Sequence, residues 1–398
     1  MLEFAKKFYG SNLKFARLYR GLSMEELGNR IGKSKQIISQ YESEEDMQQP
    51  SFDVVATISE ELKFPISFFY TEKKNKNQEI TTYFRALLSS NKKDKISQSK
   101  KATVIIEIYK FLEKYIEFPK LNLPTIEETD IEKNDYKKIT TTIRKHWGLE
   151  DKPISNIINI LEANGFILSS INTNTDDIDA FTHYVQIQNE RYFCIVLGNE
   201  KESFVRRQFS TAHELAHVIL HGTKIDMDML SREEFRNIER EADKFAAELL
   251  LPEESFKKDL VYPTNLKFYE ELKKKWKVSI IAMILRALEL KCITQNQFQY
   301  LLKQAYAKGY RTKEPLDDTI KFQEPSLIKL ATNMILDNNK CTPEEFMKNL
   351  NENGVWLEAD EIEEIIGLEP GKLKTEEIYI ENDNLIKIDF KNVKRKKN

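Results

Sequence analysis

The chain has 398 residues, of which 40% are apolar and 31% charged, so it is long enough for two to four globular domains. Its formal net charge is only −3, which excludes a strong overall field for nucleic acid; any such surface must be local. No apolar run approaches the roughly 20 residues that span a bilayer, and three isolated cysteines are typical of reduced thiols, so we expect a cytoplasmic protein without a membrane partner.

Residues 1–70 have the pattern of a helix-turn-helix domain. The sequence predicts a first helix over 12–20, a second opened by the capping box SMEE at 23–26, and a third over 35–43 capped by Ser34. The third helix would be the recognition helix, whose N-terminal residues enter the major groove of double-stranded DNA.

The candidate DNA contacts cluster at the start of this third helix. They are Lys33, Ser34, Lys35, Gln36, Ser39 and Gln40. Glutamine can pair with adenine through two hydrogen bonds, and lysine can contact phosphates. The stretch RGLSMEELGNRIGKSKQIISQYES, followed by LKFPISFFY, resembles the Cro-repressor-like XRE family of helix-turn-helix domains. The resemblance implies DNA binding, and because such domains often read DNA as dimers, a homodimer is one option.

Residues 71–124 are expected to be a basic linker followed by a helix. Nine lysines and arginines lie between residues 73 and 101, which is typical of a solvated connector, although they could also contact the DNA backbone. The helix is predicted over 102–118, where Pro119 ends it.

Residues 125–260 are expected to form a domain of mixed α+β structure. The sequence predicts a helix over 131–147 and a second one ending at Gly165. Three strands with period-two alternation follow, at 166–171, 180–188 and 191–197. A tight hairpin at 189–190 predicts a small antiparallel sheet. We expect a substrate to extend along this sheet beside 191–197, by strand addition.

The sequence His213-Glu214-Leu215-Ala216-His217 lies in a segment, 203–222, whose apolar residues follow helical spacing. A helix places residues i and i+4 on one face, so His213 and His217 can chelate one zinc ion. Glu214, beside them, is the candidate general base.

A second helix opens at the capping box SREE, 231–234, and carries two further acidic candidates. A catalytic zinc takes three protein ligands, and Glu239 is well placed to be the third. Asp243, one turn later on the same face, could hold a ligand imidazole by its other nitrogen. Glu241 competes with Glu239 for the ligand role but lies on another helix face.

The stretches RRQFSTAHELAHVILH and EREADKFAAELLLP together resemble the ImmA/IrrE family of zinc metallopeptidases. The resemblance implies a gluzincin-like core in which His213, His217 and Glu239 bind zinc and Glu214 is catalytic. It also implies that Asp243 supports the ligands, and that the substrate is one repressor or antitoxin-like protein.

Three residues near the motif have two interpretations each. His183 and Tyr184, on the strand before the metal helix, could stabilise the oxyanion or could be hydrogen-bonded structural residues. The spacing of His221 does not fit a third histidine ligand, so we expect a helix-end residue favoured by the helix dipole.

The rest of the chain reads as helical. Residues 261–320 are expected to form a trihelical, helix-turn-helix-like segment that could bind DNA or pack against the catalytic domain. Residues 321–398 are expected to be a helical region with a terminal hairpin and a basic tail. The predicted helices of these two regions are 267–277, 280–290, 295–308, 325–336, 343–350 and 359–366.

The expected protein is mainly α with one small α+β domain, and its expected function is that of a DNA-binding zinc metalloendopeptidase regulating transcription. The alternative is a transcriptional regulator or antitoxin whose zinc domain only senses or scaffolds. A third hypothesis is a peptidase whose helix-turn-helix domain binds a protein partner instead of DNA.

Overall fold

The fold was determined from a computed structural model of the chain. The structure describes residues 7–43, 49–72, 92–173, 179–187, 189–199, 203–222, 230–320 and 324–374. Within this part of the chain, no helix is both long and apolar enough to cross a membrane.

Five short helices form the N-terminal unit. They are α1 (Gly10–Tyr19), α2 (Met24–Arg30), α3 (Lys35–Glu42), α4 (Phe52–Leu62) and α5 (Ile66–Phe69). The capping box that opens α2 is present in both directions between Ser23 and Glu26, and the Ser34 hydroxyl caps α3. Gly32, with φ 65°, makes the turn between α2 and α3. The predicted helix-turn-helix arrangement is confirmed.

The next helix, α6 (Lys92–Leu112), begins well before the predicted start at residue 102. Its polar first half is not a solvated connector throughout, because Ser97 and Gln98 are buried. Ser97 Oγ donates to the carbonyl of Tyr19 at 2.7 Å, and Gln98 Nε2 donates to that of Thr173 at 2.9 Å. These bonds offset the cost of burying polar side chains. The earlier part of the predicted linker, 73–91, lies outside the described residues.

The region from residue 128 to residue 250 is built from helices around a small sheet. Its elements are α7 (Glu128–Glu132), α8 (Tyr136–His146), α9 (Ile157–Ala163), β1 (Ile167–Ile171), β2 (Ala180–Ile187), β3 (Glu190–Gly198), α10 (Phe204–Ala216), a π turn (His217–His221) and α11 (Arg232–Leu250). The single helix predicted over 131–147 is two helices, because Asn134 adopts φ 54° and Asp135 then caps α8.

The sheet is mixed and not antiparallel, which corrects the prediction. Its strand order is β1-β3-β2, with β2 antiparallel and β1 parallel to β3. β2 pairs with one edge of β3, to which the hairpin connects it, and β1 pairs with the opposite edge of β3. β3 is therefore the central strand. Because β3 is paired on both sides, strand addition beside residues 191–197 is wrong as well.

The sheet separates two hydrophobic cores. On one face Phe181 and Val196 pack in a core with α6, the helix-turn-helix residues and the C-terminal helices. On the other face Tyr184 and Ile195 pack in a core with α10 and α11. The N-terminal unit therefore shares a continuous core with one face of the sheet.

The remaining helices belong to these two cores. Those of the second core are α12 (Glu253–Asp259), α13 (Leu266–Trp276), α14 (Ile280–Glu289) and α15 (Gln295–Ala307). Those of the first are α16 (Leu327–Asp337), α17 (Pro343–Glu352) and α18 (Ala359–Ile366). Arg20, the residue that follows α1, forms a two-bond ion pair with Glu361 of α18, at 2.6 and 2.7 Å. The predicted terminal hairpin and basic tail lie outside the described residues.

Candidate metal centre and DNA-binding face

The metal-ligand candidates come from two helices that pack side by side, α10 and α11. Small buried residues allow this close packing: Ala212, Ala216, Ala242 and Ala246. The capping box at Ser231 and Glu234 fixes the start of α11 as the sequence predicts. Glu239 and Asp243, one helical turn apart on α11, then face α10.

His213 contacts both acidic candidates on α11. Its Nδ1 lies 2.7 Å from Oδ1 of Asp243, and its Nε2 lies 3.7 Å from Oε2 of Glu239. Because a carboxylate only accepts hydrogen bonds, the contact with Asp243 fixes the proton of a neutral His213 on Nδ1. The Nε2 lone pair is then directed toward the side where Glu239 lies.

His217 is 6% exposed. Its Nε2 is buried and has no hydrogen-bond partner among the described residues. A buried polar atom of this kind needs a partner, and a metal ion is one. In the described part of the chain, no group of three or more His, Cys, Asp or Glu side chains is arranged to hold a metal as it stands. The fit to zinc is therefore one of donor chemistry, two imidazoles and a carboxylate, completed by this nitrogen.

Glu214 is nearly buried, at 2% exposure, on the side of α10 that faces the sheet. Its Oε2 accepts a 2.8 Å hydrogen bond from Oγ1 of Thr182 on β2. Sequence reasoning missed Thr182. The period-two pattern of β2 assigns it to the face of Ala180 and Tyr184, but nothing in the sequence shows that this face lies under α10.

The structure separates the two oxyanion candidates. His183 is fully buried on the opposite face of the sheet, with Nε2 3.3 Å from Oγ1 of Thr103 on α6. Burial, together with nearby Lys100, lowers the pKa of His183 to about 3. The oxyanion role for His183 is wrong, because its side chain points away from Glu214. Tyr184 lies on the Glu214 face, where its hydroxyl donates to Oε1 of Gln186 at 3.0 Å.

Glu241 and His221 contact each other instead of standing apart from the site. Nε2 of His221 lies 3.1 Å from Oε2 of Glu241, and Nδ1 of His221 lies 2.6 Å from Nδ1 of His217. The helix-dipole interpretation of His221 is therefore incomplete, since both of its ring nitrogens are engaged. Sequence spacing could not show this, because it assumed an α-helical turn at His217–His221 where the chain forms a π turn.

The DNA-contact candidates lie on α3 and on the two residues just before it. Five of them are exposed and the sixth, Gln40, is half-buried. Ile38 and Tyr41, on the inner side of the helix, are buried. A buried two-bond ion pair between Arg17 and Glu42, at 2.5 and 2.7 Å, holds the end of α3 against α1.

Two comparisons with protein families agree with this geometry. A family model described as an IrrE N-terminal-like domain of peptidase family M78 matches residues 169–288, which include every candidate metal residue. A helix-turn-helix domain model matches residues 10–74, which include α1 to α5. No curated protein matches the chain. The chain thus joins a helix-turn-helix domain, of the kind that binds DNA in transcription regulators, to an IrrE N-terminal-like domain of peptidase family M78.

Proposed function

We propose that this protein is a cytoplasmic, DNA-binding zinc metalloendopeptidase that regulates transcription by cleaving a repressor or antitoxin-like protein. The observation that carries the proposal is the packing of α10 against α11. It brings His213 into contact with Glu239 and Asp243. The next residue in the chain is Glu214, whose carboxylate is buried.

His213, His217 and Glu239 would hold the metal, with Asp243 orienting His213. When bound, zinc would polarise the scissile carbonyl and make water a better nucleophile at neutral pH. Neither Asp243 nor Thr182 would touch the metal. Their work is to hold a ligand and the catalytic carboxylate in place, which is how surrounding hydrogen bonds tune such sites.

Glu214 would act as the general base and then as the general acid. Its carboxylate would take a proton from the attacking water and deliver it to the leaving amide nitrogen. The hydrogen bond from Thr182 restrains the position of Oε2 of this carboxylate. Because Thr182 belongs to β2, the sheet itself orients the base.

The substrate would bind along β2 instead of β3. Among the described residues β2 pairs only with β3, so its other edge is open to an added strand. Thr182, which contacts Glu214, belongs to this edge strand. A peptide must be extended to pair there. We therefore expect cleavage in a linker or an unfolded segment of the substrate, and not within a helix.

Metal analysis tests the proposal on the purified full-length protein. We expect one zinc ion per chain in the wild type and loss of most of it in Glu239→Ala. Glu233→Ala, an exposed acidic residue on the same helix, is the matched control and should keep its zinc. Full zinc retention in Glu239→Ala would remove Glu239 from the ligand set.

One observation favours a second function, a zinc-dependent sensor without proteolysis. The helix-turn-helix residues share a core with one face of the sheet, and Thr182 on the same sheet contacts Glu214. Occupancy of the site could therefore alter the DNA-binding unit directly. A Glu214→Gln variant with a wild-type regulatory response would favour this sensor over the peptidase.

A further inference from the structure

A row of three side chains joins the π turn after α10 to α11. Nδ1 of His217 lies 2.6 Å from Nδ1 of His221, and Nε2 of His221 lies 3.1 Å from Oε2 of Glu241. Both histidines are only 6% exposed. The short distances and the burial make this a defined hydrogen-bonded row.

The row depends on the geometry of the π turn that follows α10. The amide of Gly222 donates to the carbonyl of His217, five residues back, at 2.9 Å. In this wider turn the rings of His217 and His221 lie 4.6 Å apart at 36°. Gly222 then adopts φ 53° and ψ −145°, a combination available essentially to glycine alone. Such π bulges are frequent at functional sites.

Only one arrangement of protons on two neutral imidazoles satisfies both contacts. A carboxylate only accepts, so Nε2 of His221 must carry the proton that it donates to Glu241. The lone pair of His221 is then on Nδ1, and Nδ1 of His217 must donate to it. His217 is left with its lone pair on Nε2, the buried atom without a hydrogen-bond partner among the described residues.

We propose that His221 and Glu241 are positioning residues that hold His217 in the tautomer whose Nε2 can bind a metal. Asp243 does the same for His213 with a single carboxylate. Neither His221 nor Glu241 is a ligand, since each is committed to this row. The proposal rests on the proposed function in assigning zinc to the site, but the tautomer itself is a property of the metal-free protein.

Nitrogen NMR of metal-free protein labelled with ¹⁵N-histidine tests the tautomer directly. The chain has only five histidines, so the spectrum can be assigned by substitution. In mildly alkaline buffer, where imidazole is ordinarily neutral, His217 should carry its proton on Nδ1. In His221→Leu the same signal should move toward a mixture of tautomers. A proton on Nε2 of His217 in the wild type would overturn the proposal.

Zinc affinity, measured by competition with a coloured chelator, tests the consequence. His221→Leu and Glu241→Leu should bind zinc about 10- to 100-fold more weakly than the wild type, the usual effect of losing a supporting hydrogen bond. His221→Asn keeps an acceptor close to the position of Nδ1 and should lie within a few-fold of the wild type. Glu233→Leu, on the exposed face of α11, is the control.

The two experiments separate this proposal from the proposed function. Unchanged zinc affinity in His221→Leu would contradict the positioning role, even if the enzyme proves active. If the wild-type protein binds no zinc but His217 has the expected tautomer, the proposed function is refuted. The positioning of His217 by His221 and Glu241 is then still supported.

Discussion

Acid should destabilise the folded protein through His183, on the face of β2 opposite Glu214. Burial, assisted by the positive charge of Lys100, lowers its pKa from 6.5 to about 3. Between these values the unfolded chain binds a proton at this residue and the folded protein does not. The contribution of neutral His183 to the stability of the fold is therefore fully present above about pH 6.5. It is lost as the pH falls toward 3.

The magnitude follows from the width of this window. Each pH unit inside it costs up to about 1.4 kcal/mol for one group, so His183 can remove roughly 5 kcal/mol in all. Typical stabilities are about 5–15 kcal/mol, so the effect is large. A proton added to this imidazole could not be hydrated, because the side chain is fully buried and its Nε2 lies 3.3 Å from the hydroxyl of Thr103.

Urea unfolding at several pH values measures the effect. Other groups also titrate here, so the observable is the difference in unfolding free energy between the wild type and His183→Leu. That difference should shift in favour of the variant as the pH falls below 6.5. His146→Gln, an exposed histidine on α8, should follow the wild type. Parallel pH profiles for the wild type and His183→Leu would refute the assignment of His183 to this core.

Three further predictions follow from the described contacts. Gln36→Ala should cost about 1–3 kcal/mol at the preferred DNA site and relax specificity, whereas Lys35→Ala should weaken binding to all sequences and reduce the salt slope by about 1 in footprinting. Thr182→Val removes a hydrogen bond worth about 1.5–3 kcal/mol to a charged acceptor. It should therefore lower kcat about 10- to 100-fold while leaving KM and zinc content unchanged. Glu361→Ala removes the ion pair between Arg20, at the end of α1, and α18. Hydrogen exchange should therefore accelerate in α1 but not in α11; equal exchange in both helices would contradict the docking of α1 on α18.

Local patterns in the sequence predicted the parts of the fold that local physics determines. The capping boxes at Ser23 and Ser231 mark helix starts in the structure because each satisfies backbone amides within one turn. The spacing of His213 and Glu239 along their helices put both on facing sides once the helices packed. These features need no knowledge of distant contacts.

Features that depend on distant partners were not predictable. The polar start of α6 reads as a linker because its buried partners, the carbonyls of Tyr19 and Thr173, are far away in sequence. The position of β1 next to β3 depends on a crossover that no motif marks. The contact of Thr182 with Glu214 depends in turn on which sheet face α10 covers.

The central claim is that Glu214 is the base of a peptidase acting on one regulatory protein. Its most direct test is a comparison of protein N-termini in cells expressing the wild type or Glu214→Gln, after both purified proteins have shown equal zinc content and DNA binding. Loss of a general base costs roughly 10²–10⁴-fold in rate. We therefore predict new N-termini from a helix-turn-helix repressor or antitoxin-like protein with the wild type only. Identical sets of N-termini, with an unchanged regulatory response in the variant, would contradict the claim.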